Sequence, residues 1–87
     1  MTTPSYSVFI PSKNAAIKRT IRIGPFWGRL PQNPLTSHPP EYRQWSREKD
    51  AIAFIDTLRI RGNYAKGTLP EYSREKEWAK EAKVILN

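Results

Sequence analysis

The chain has 87 residues, a length at which one small domain forms. Hydrophobic residues make up 38% of it, and a chain of this size buries only about 60–65% of the surface that its unfolded form exposes. The core is therefore small, and a deep catalytic cleft is hard to build. The absence of cysteine excludes disulfides and thiolate metal sites, and no apolar run approaches the roughly 18 residues of a membrane span. We expect residues 1–87 to form a single domain.

Positive charge is concentrated in the first part of the chain. The sequence contains 15 Lys and Arg against 8 Asp and Glu, which gives a net charge of +7. Residues 1–40 contain five of the basic residues and no acid, so they carry +5 of that charge. This asymmetry is typical of proteins that bind nucleic acid, a membrane surface or an acidic partner. A solvated basic face without a partner has the same composition.

The acid-free N-terminus also has the composition of a mitochondrial import signal. Pro4 and Pro11 interrupt any amphipathic helix in this stretch, and the apolar stretch of a secretory signal does not follow the first basic residue. We therefore expect an intracellular protein that is neither secreted nor transmembrane. It would be cytoplasmic, or located in the mitochondrial matrix if the N-terminus is an uncleaved import signal.

Residues 5–23 predict a β-hairpin. Residues 6–10 are rich in β-branched and aromatic side chains, and the sequence Pro-Ser-Lys-Asn at 11–14 is typical of a turn. In residues 17–23, isoleucines alternate with basic residues, which predicts a second strand with one apolar and one basic face. Two strands separated by a short turn favour antiparallel pairing.

Residues 24–40 predict an irregular connector. They hold five of the eight prolines and two of the four glycines, and proline interrupts both helices and sheets. The adjacent rings of Phe26 and Trp27 are unusual for a flexible linker. We expect the connector to lie across the surface of the fold, held in place by these two rings.

Two helices are predicted after the connector. Residues 41–61 follow Pro40 and end before Gly62, which are signals for the start and the end of a helix. Residues 70–86 have the spacing of a second, amphipathic helix. The predicted fold is α+β, with an N-terminal antiparallel β-hairpin, a Pro-rich irregular connector, and two α-helices packed on the hairpin.

The first predicted helix carries two apolar stripes, which indicates burial on two sides. We therefore expect it to lie between the hairpin and the second helix. One stripe comprises Ala51, Phe54, Ile55 and Leu58, and the other comprises Tyr42, Trp45, Ile52 and Ile60.

No motif for catalysis, metal binding or nucleotide binding is present. His38 is the only histidine, whereas a zinc site needs about four ligands, mostly nitrogen or sulfur. The segment 62–68 spaces two glycines like a phosphate-binding loop, but the lysine that must follow the second glycine is missing. The acidic residues fit the solvated surface of a helix. We predict a protein that is not an enzyme, without catalytic residues, metal, cofactor or small-molecule substrate.

Basic residues beside aromatic rings are the remaining signal. Cations that neutralise phosphates release counterions, and aromatic rings stack on unpaired bases. We therefore predict a small basic binding module whose N-terminal face contacts the phosphates of RNA or DNA, alone or in a ribonucleoprotein. The predicted phosphate-binding residues are Lys13, Lys18, Arg19, Arg22, Arg29, Arg59, Arg61 and Lys66, and the predicted stacking or docking residues are Phe26, Trp27 and Tyr64.

An alternative comes from the connector. Arginine and aromatic residues are frequent at the energetic centres of protein interfaces, and residues 24–40 are rich in proline and aromatic rings. The chain would then be a small accessory subunit, effector or inhibitor that docks on a larger, acidic protein or complex. A membrane-surface role is the least favoured, because a small core needs the apolar side of the last helix for itself.

Overall fold

The computed structural model describes residues 4–64 and 73–87. In these residues, four strands form one antiparallel sheet, the first of two helices packs against the sheet, and the second helix packs mainly against the first. The α+β fold predicted from the sequence, with a hairpin followed by two helices, is confirmed. In chain order the elements are β1 (Tyr6–Ile10), β2 (Ala15–Ile17), β3 (Leu35–Thr36), α1 (Glu48–Tyr64), α2 (Ser73–Glu81) and β4 (Lys83–Leu86). The order of the strands in the sheet is β3-β2-β1-β4.

The first strand and the turn of the N-terminal hairpin form where the sequence predicts them. A single 3-10 turn, Pro11–Lys13, joins β1 to β2, and Asn14 closes the turn with a left-handed φ of 48°, a conformation that asparagine tolerates well. The two strands pair through Phe9 opposite Ala16 and Ile10 opposite Ala15. Period-2 alternation directs the odd and even positions of β1 to opposite faces of the sheet.

The prediction of a second strand over 17–23 is wrong. Strand β2 ends at Ile17, and the chain then turns, with the Ile21 N–H donating to the Lys18 carbonyl at 3.1 Å. Ile21 and Ile23 are nevertheless buried. The alternating pattern therefore predicted which side chains enter the core but not the backbone conformation, since an irregular segment can bury the same residues.

The first helix begins later than predicted, at Glu48 instead of residue 41. Residues 42–45 are extended and bonded to the hairpin. The Arg43 N–H donates to the Ile17 carbonyl at 2.8 Å, and Trp45 and Tyr6 exchange two backbone hydrogen bonds of 2.8 Å. Strand β2 leaves part of the edge of β1 unpaired, and these bonds satisfy it, which outweighs the local preference for helix.

The second helix is shorter than predicted. It ends at Glu81, and residues 83–86 form β4, which pairs with β1 from Tyr6 opposite Leu86 to Phe9 opposite Lys83. A short apolar run of this kind fits a helix or a strand equally well by periodicity. The free edge of β1 decides in favour of a strand. The predicted start of this helix at residues 70–72 lies outside the described residues.

The connector also departs from its prediction in one place, since Leu35–Thr36 pairs with β2 as β3. Apart from this strand and a 3-10 turn at Pro39–Glu41, residues 24–40 contain no helix or strand, as predicted.

The core lies between the sheet and α1. The first apolar stripe of α1 is buried or half-buried as predicted, and α1 contacts both β1 and α2. The second stripe does not form a buried face of the helix: Ile52 and Ile60 are 45% and 38% exposed, and Tyr42 and Trp45, which are half-buried, precede the helix. The buried core consists mainly of Val8, Ile10, Ile17, Ile21, Ala51, Phe54, Leu58 and Trp78.

Gly62 lies inside α1 and does not end it, contrary to its predicted role as a stop signal. A Cβ atom at this position would lie 2.6 Å from Cβ and 2.7 Å from Cα of Lys76 on α2. The glycine therefore allows the backbones of the two helices to approach closely. In the described part of the chain, neither helix is long and apolar enough to cross a membrane.

Candidate nucleic-acid interface

Two arginine side chains meet at one backbone carbonyl. Nη1 of Arg22 donates to the Ile21 carbonyl oxygen at 3.0 Å, and Nη1 of Arg43 donates to the same oxygen at 2.8 Å. Nη1 of Arg22 also donates to the Arg19 carbonyl at 2.6 Å. The turn that follows β2 therefore presents its carbonyl oxygens to two guanidinium groups and brings their positive charges together.

The Arg43 guanidinium is held on aromatic rings. Its Cζ atom lies 4.5 Å from the ring centroid of Trp45 and 5.3 Å from that of Phe54. Burial lowers the pKa of Arg43, and the positive charge of Arg22 lowers it further, because both disfavour the charged form. An anion placed between the two guanidiniums would relieve this repulsion.

No acidic side chain neutralises this pair in the described residues. Within residues 4–64 and 73–87, neither Arg22 nor Arg43 has a carboxylate oxygen within 4.0 Å, and the same holds for Lys18 and Arg19, which precede Arg22 in the chain. Arg19 and Arg22 are exposed, and Lys18 and Arg43 are half-buried. We call these four residues the arginine cluster.

Arg61 has a different position from the one its predicted role requires. The residue is only 4% exposed, and Nε donates to both carboxylate oxygens of Glu75 at 3.1 and 3.2 Å. Nη1 lies 2.8–3.1 Å from the carbonyl oxygens of Gly24, Trp27 and Gly28. The prediction that Arg61 binds phosphate on the surface is therefore wrong. It is an internal anchor for residues 24–28, which we call the aromatic loop.

The rings of the aromatic loop face solvent. Phe26 is 72% exposed and Trp27 is 62% exposed, so the expectation that they hold the connector on the fold is wrong. Arginine side chains hold it instead: Arg61 binds its first part, and Arg74 donates to the carbonyl oxygens of Leu30 at 3.2 Å and Gln32 at 2.9 Å. Backbone carbonyl groups thus fix the connector while its two rings remain accessible.

Arg29 extends the basic surface beyond the aromatic loop. It is exposed, and together with Arg74 and the segment 30–32 it lines an open groove of about 580 Å³. Two guanidinium groups thus line this groove, which we call the Arg29 groove.

Other predicted residues do not join the arginine cluster. Arg59 forms an exposed ion pair of 3.2 Å with Asp56 on the same helix. Lys13 lines a separate groove that also contains Glu77 and Glu81. Both cations lie near carboxylates, which reduces their attraction for phosphate. Lys66 and the side chain of Tyr64 lie outside the described residues.

Glu81, which lines the same groove as Lys13, gives a testable effect of pH. Hydrogen bonds from the Ser12 hydroxyl and backbone N–H, together with the charge of Lys13, lower the pKa of Glu81. Glu81 therefore stabilises the fold above the pKa it has in the unfolded chain, and this contribution is lost as the pH falls through its lower folded-state pKa. We expect Glu81→Gln to reduce the acid-induced loss of stability, measured by urea unfolding at a series of pH values. Equal pH dependence in the variant and the native protein would contradict this.

Sequence reasoning missed Arg43 and Arg74. Arg43 falls in a segment whose spacing fits a helix, and only its position between Tyr42 and Trp45 hints at contact with rings. Arg74 carries no signal at all, since its acceptors are carbonyl groups of a loop more than 40 residues away in the chain.

No protein-family model, no curated protein and no solved structure matches the chain. A function must therefore be inferred from the geometry of the structure. Across residues 4–64 and 73–87, no three histidine or acidic side chains lie close enough together to hold a metal ion. The arginine cluster and the aromatic loop are the features from which a function can be inferred.

Proposed function

We propose that this protein is a small, non-enzymatic module that binds the phosphates of RNA or DNA through the arginine cluster. The observation that carries the proposal is the meeting of Arg22 and Arg43 at the Ile21 carbonyl, with no carboxylate of the described residues within 4.0 Å of either guanidinium. Two positive charges held together without a neighbouring carboxylate favour an anion that contacts both of them. The planar set of N–H donors on a guanidinium group matches the geometry of phosphate oxygens.

The surroundings of the pair support a polyanion over a single free ion. Lys18 and Arg19 lie in the turn that directly precedes Arg22, and the Arg29 groove offers further cations beyond the aromatic loop. Each phosphate bound by such a series of cations releases counterions, so affinity accumulates along a chain of phosphates. The net charge of +7 adds long-range attraction for the same ligand.

The test is the salt dependence of binding in a charge-matched pair of variants. Arg22→Gln and Arg59→Gln each remove one exposed positive charge, but only Arg22 belongs to the arginine cluster. Fluorescence anisotropy of labelled single-stranded and duplex oligonucleotides is measured over a series of salt concentrations. We expect Arg22→Gln to lower the slope of log affinity against log salt by about 0.7–0.9, the value for one phosphate contact. Arg59→Gln should leave that slope nearly unchanged.

Two results would overturn the proposal. The first is no binding of either oligonucleotide at low salt. The second is an equal effect of the two substitutions, since this would show that only net charge matters and that the position of Arg22 does not.

A second candidate function is docking on a larger, acidic protein through residues 24–40. Its support is the exposure of Phe26 and Trp27 on a loop whose backbone is already fixed, since aromatic anchors of this kind dominate the energy of many protein interfaces. The two candidates differ in their response to salt. Docking through the rings would survive high salt and be lost in Trp27→Ala, whereas phosphate binding would weaken steeply with salt and in Arg22→Gln.

A further inference from the structure

The aromatic loop carries two large rings that are mostly exposed to solvent. Phe26 and Trp27 are neighbours in sequence, and each exposes well over half of its surface. Large exposed apolar groups beside a charged surface mark contact sites. The ligand they suit must offer flat apolar surfaces together with negative charge.

The loop is fixed before any ligand arrives. Nη1 of Arg61 lies 2.8–3.1 Å from the carbonyl oxygens of Gly24, Trp27 and Gly28, and the Gly24 N–H donates to the Trp27 carbonyl at 3.0 Å. Since Arg61 is itself buried against Glu75, the backbone that carries the rings is tied to the core. Binding of a ligand that stacks on the rings therefore costs little conformational entropy of the loop.

The Trp27 indole packs against the backbone of Gly24. A Cβ atom on Gly24 would overlap the indole Nε1, so the ring rests on the bare backbone of this glycine. One part of the ring system thus contacts the loop, and the remaining 62% of the residue surface is open to solvent. This is the arrangement of a stacking platform, with one side supported and another side available.

Cations lie on both sides of the platform along the chain. On one side, Gly28 packs against the Arg22 carbonyl, since a Cβ on this glycine would lie 3.0 Å from it, which brings the loop next to the arginine cluster. On the other side, Arg29 and Arg74 line the Arg29 groove. The two rings therefore lie between the arginine cluster and the Arg29 groove.

We infer that the aromatic loop stacks unpaired bases, so that the protein binds single-stranded nucleic acid in preference to duplex. This inference rests on the proposed function, because the arginine cluster supplies the phosphate contacts. In a duplex the faces of the bases are already stacked and paired, and only an unpaired strand can offer them to Phe26 and Trp27. The phosphates before and after the stacked bases would lie at the arginine cluster and in the Arg29 groove.

The experiment compares single strands with duplexes of the same length. Labelled oligothymidine and oligouridine of about 12 nucleotides, within the range of known single-strand sites, are titrated alone and as duplexes with their complements. The native protein is expected to bind at least one single strand more tightly than its duplex. Trp27→Ala and Phe26→Ala should each weaken single-strand binding by roughly fivefold to 150-fold, the factor of one stacked base, and leave duplex binding nearly unchanged.

Matched variants separate stacking from general loss of apolar surface. Ile52→Ala removes an exposed apolar side chain on α1 and should not change either affinity. Trp27→Phe keeps an aromatic ring and should retain most of the single-strand binding that Trp27→Ala loses. Gly24→Ala keeps the indole but places a methyl group where the ring now packs. It should weaken single-strand binding by a smaller factor than Trp27→Ala.

The outcomes distinguish this inference from the proposed function. Equal affinity for single strands and duplexes, or unchanged single-strand binding in both alanine variants, would overturn the stacking role and leave phosphate binding by the arginine cluster intact. The second of these results would direct attention to the rings as a protein-docking site. Failure to bind any of the oligonucleotides at low salt would overturn the proposed function as well.

Discussion

Glu75→Gln is expected to lower the free energy of unfolding by about 3–5 kcal/mol, the cost of removing one partner of a buried ion pair. The side chains of Glu75 and Arg61 are 1% and 3% exposed, and Nε of Arg61 lies 3.1 Å from the nearer carboxylate oxygen. The amide of glutamine accepts a hydrogen bond but, being neutral, does not balance the positive charge of the guanidinium. Since small domains have a total stability of about 5–15 kcal/mol, this single change would remove a large part of it.

Glu77→Gln is the matched control, because it makes the same substitution on the same helix. Glu77 forms an ion pair with Lys80 at 3.7 Å, and its side chain is 68% exposed, so the expected loss is at most about 0.5 kcal/mol. Urea unfolding followed by tryptophan fluorescence measures both variants. A loss in Glu75→Gln as small as that in Glu77→Gln would show that the Arg61–Glu75 pair is not buried in solution.

The Arg61–Glu75 pair also connects stability with the proposed function. Arg61 is in α1 and Glu75 is in α2, and the guanidinium between them reaches the carbonyl groups of the aromatic loop. A lysine at position 61 would keep the charge but not the planar set of donors that contacts a carboxylate and three carbonyls together. Packing of the two helices therefore fixes the position of Phe26 and Trp27.

The sequence correctly predicts those elements whose residue pattern is compatible with only one type of secondary structure. Strand β1 and the turn after it have strand composition followed by turn residues, and the buried stripe of α1 has helical spacing. The segments 42–45 and 83–86 fit a helix by spacing, yet both are extended in the fold. Their conformation depends on the unpaired edges of β1 and β2, and these edges exist only after the hairpin has formed.

The candidate site was predictable in part for a similar reason. Charge and composition identify Arg19, Arg22 and the ring pair as candidates, because these residues lie in an acid-free stretch beside aromatic side chains. The burial of Arg61 depends on Glu75, which lies 14 residues away on another helix. The role of Arg43 depends on the extended path of a segment with helical spacing. A long-range contact decides each case, and local sequence does not encode it.

Gly62→Ala is expected to destabilise the protein by about 1–3 kcal/mol, the usual cost of forcing extra volume into a packed contact. Helix propensity alone predicts the opposite, since alanine inside a helix is favoured over glycine by about 0.5–1 kcal/mol. Packing against α2 determines the sign, because the new methyl group would lie 2.6–2.8 Å from Cβ, Cα and the backbone nitrogen of Lys76. Two of these three atoms belong to the backbone, so a change of side-chain rotamer cannot remove the overlap, and the two helices must move apart.

Asn63→Ala separates these two effects, because Asn63 is the next residue of α1 and is exposed. Propensity acts on both positions, but close packing acts only on Gly62. We therefore expect Asn63→Ala to stabilise the protein by a few tenths of a kcal/mol and Gly62→Ala to destabilise it, both measured as the free energy of unfolding in urea. If both variants were more stable than the native protein, α1 and α2 would not approach each other this closely. Arg61 and Glu75, which meet beside this contact, would then not be held in a common buried site, and the fixed position of the aromatic loop would lose its support.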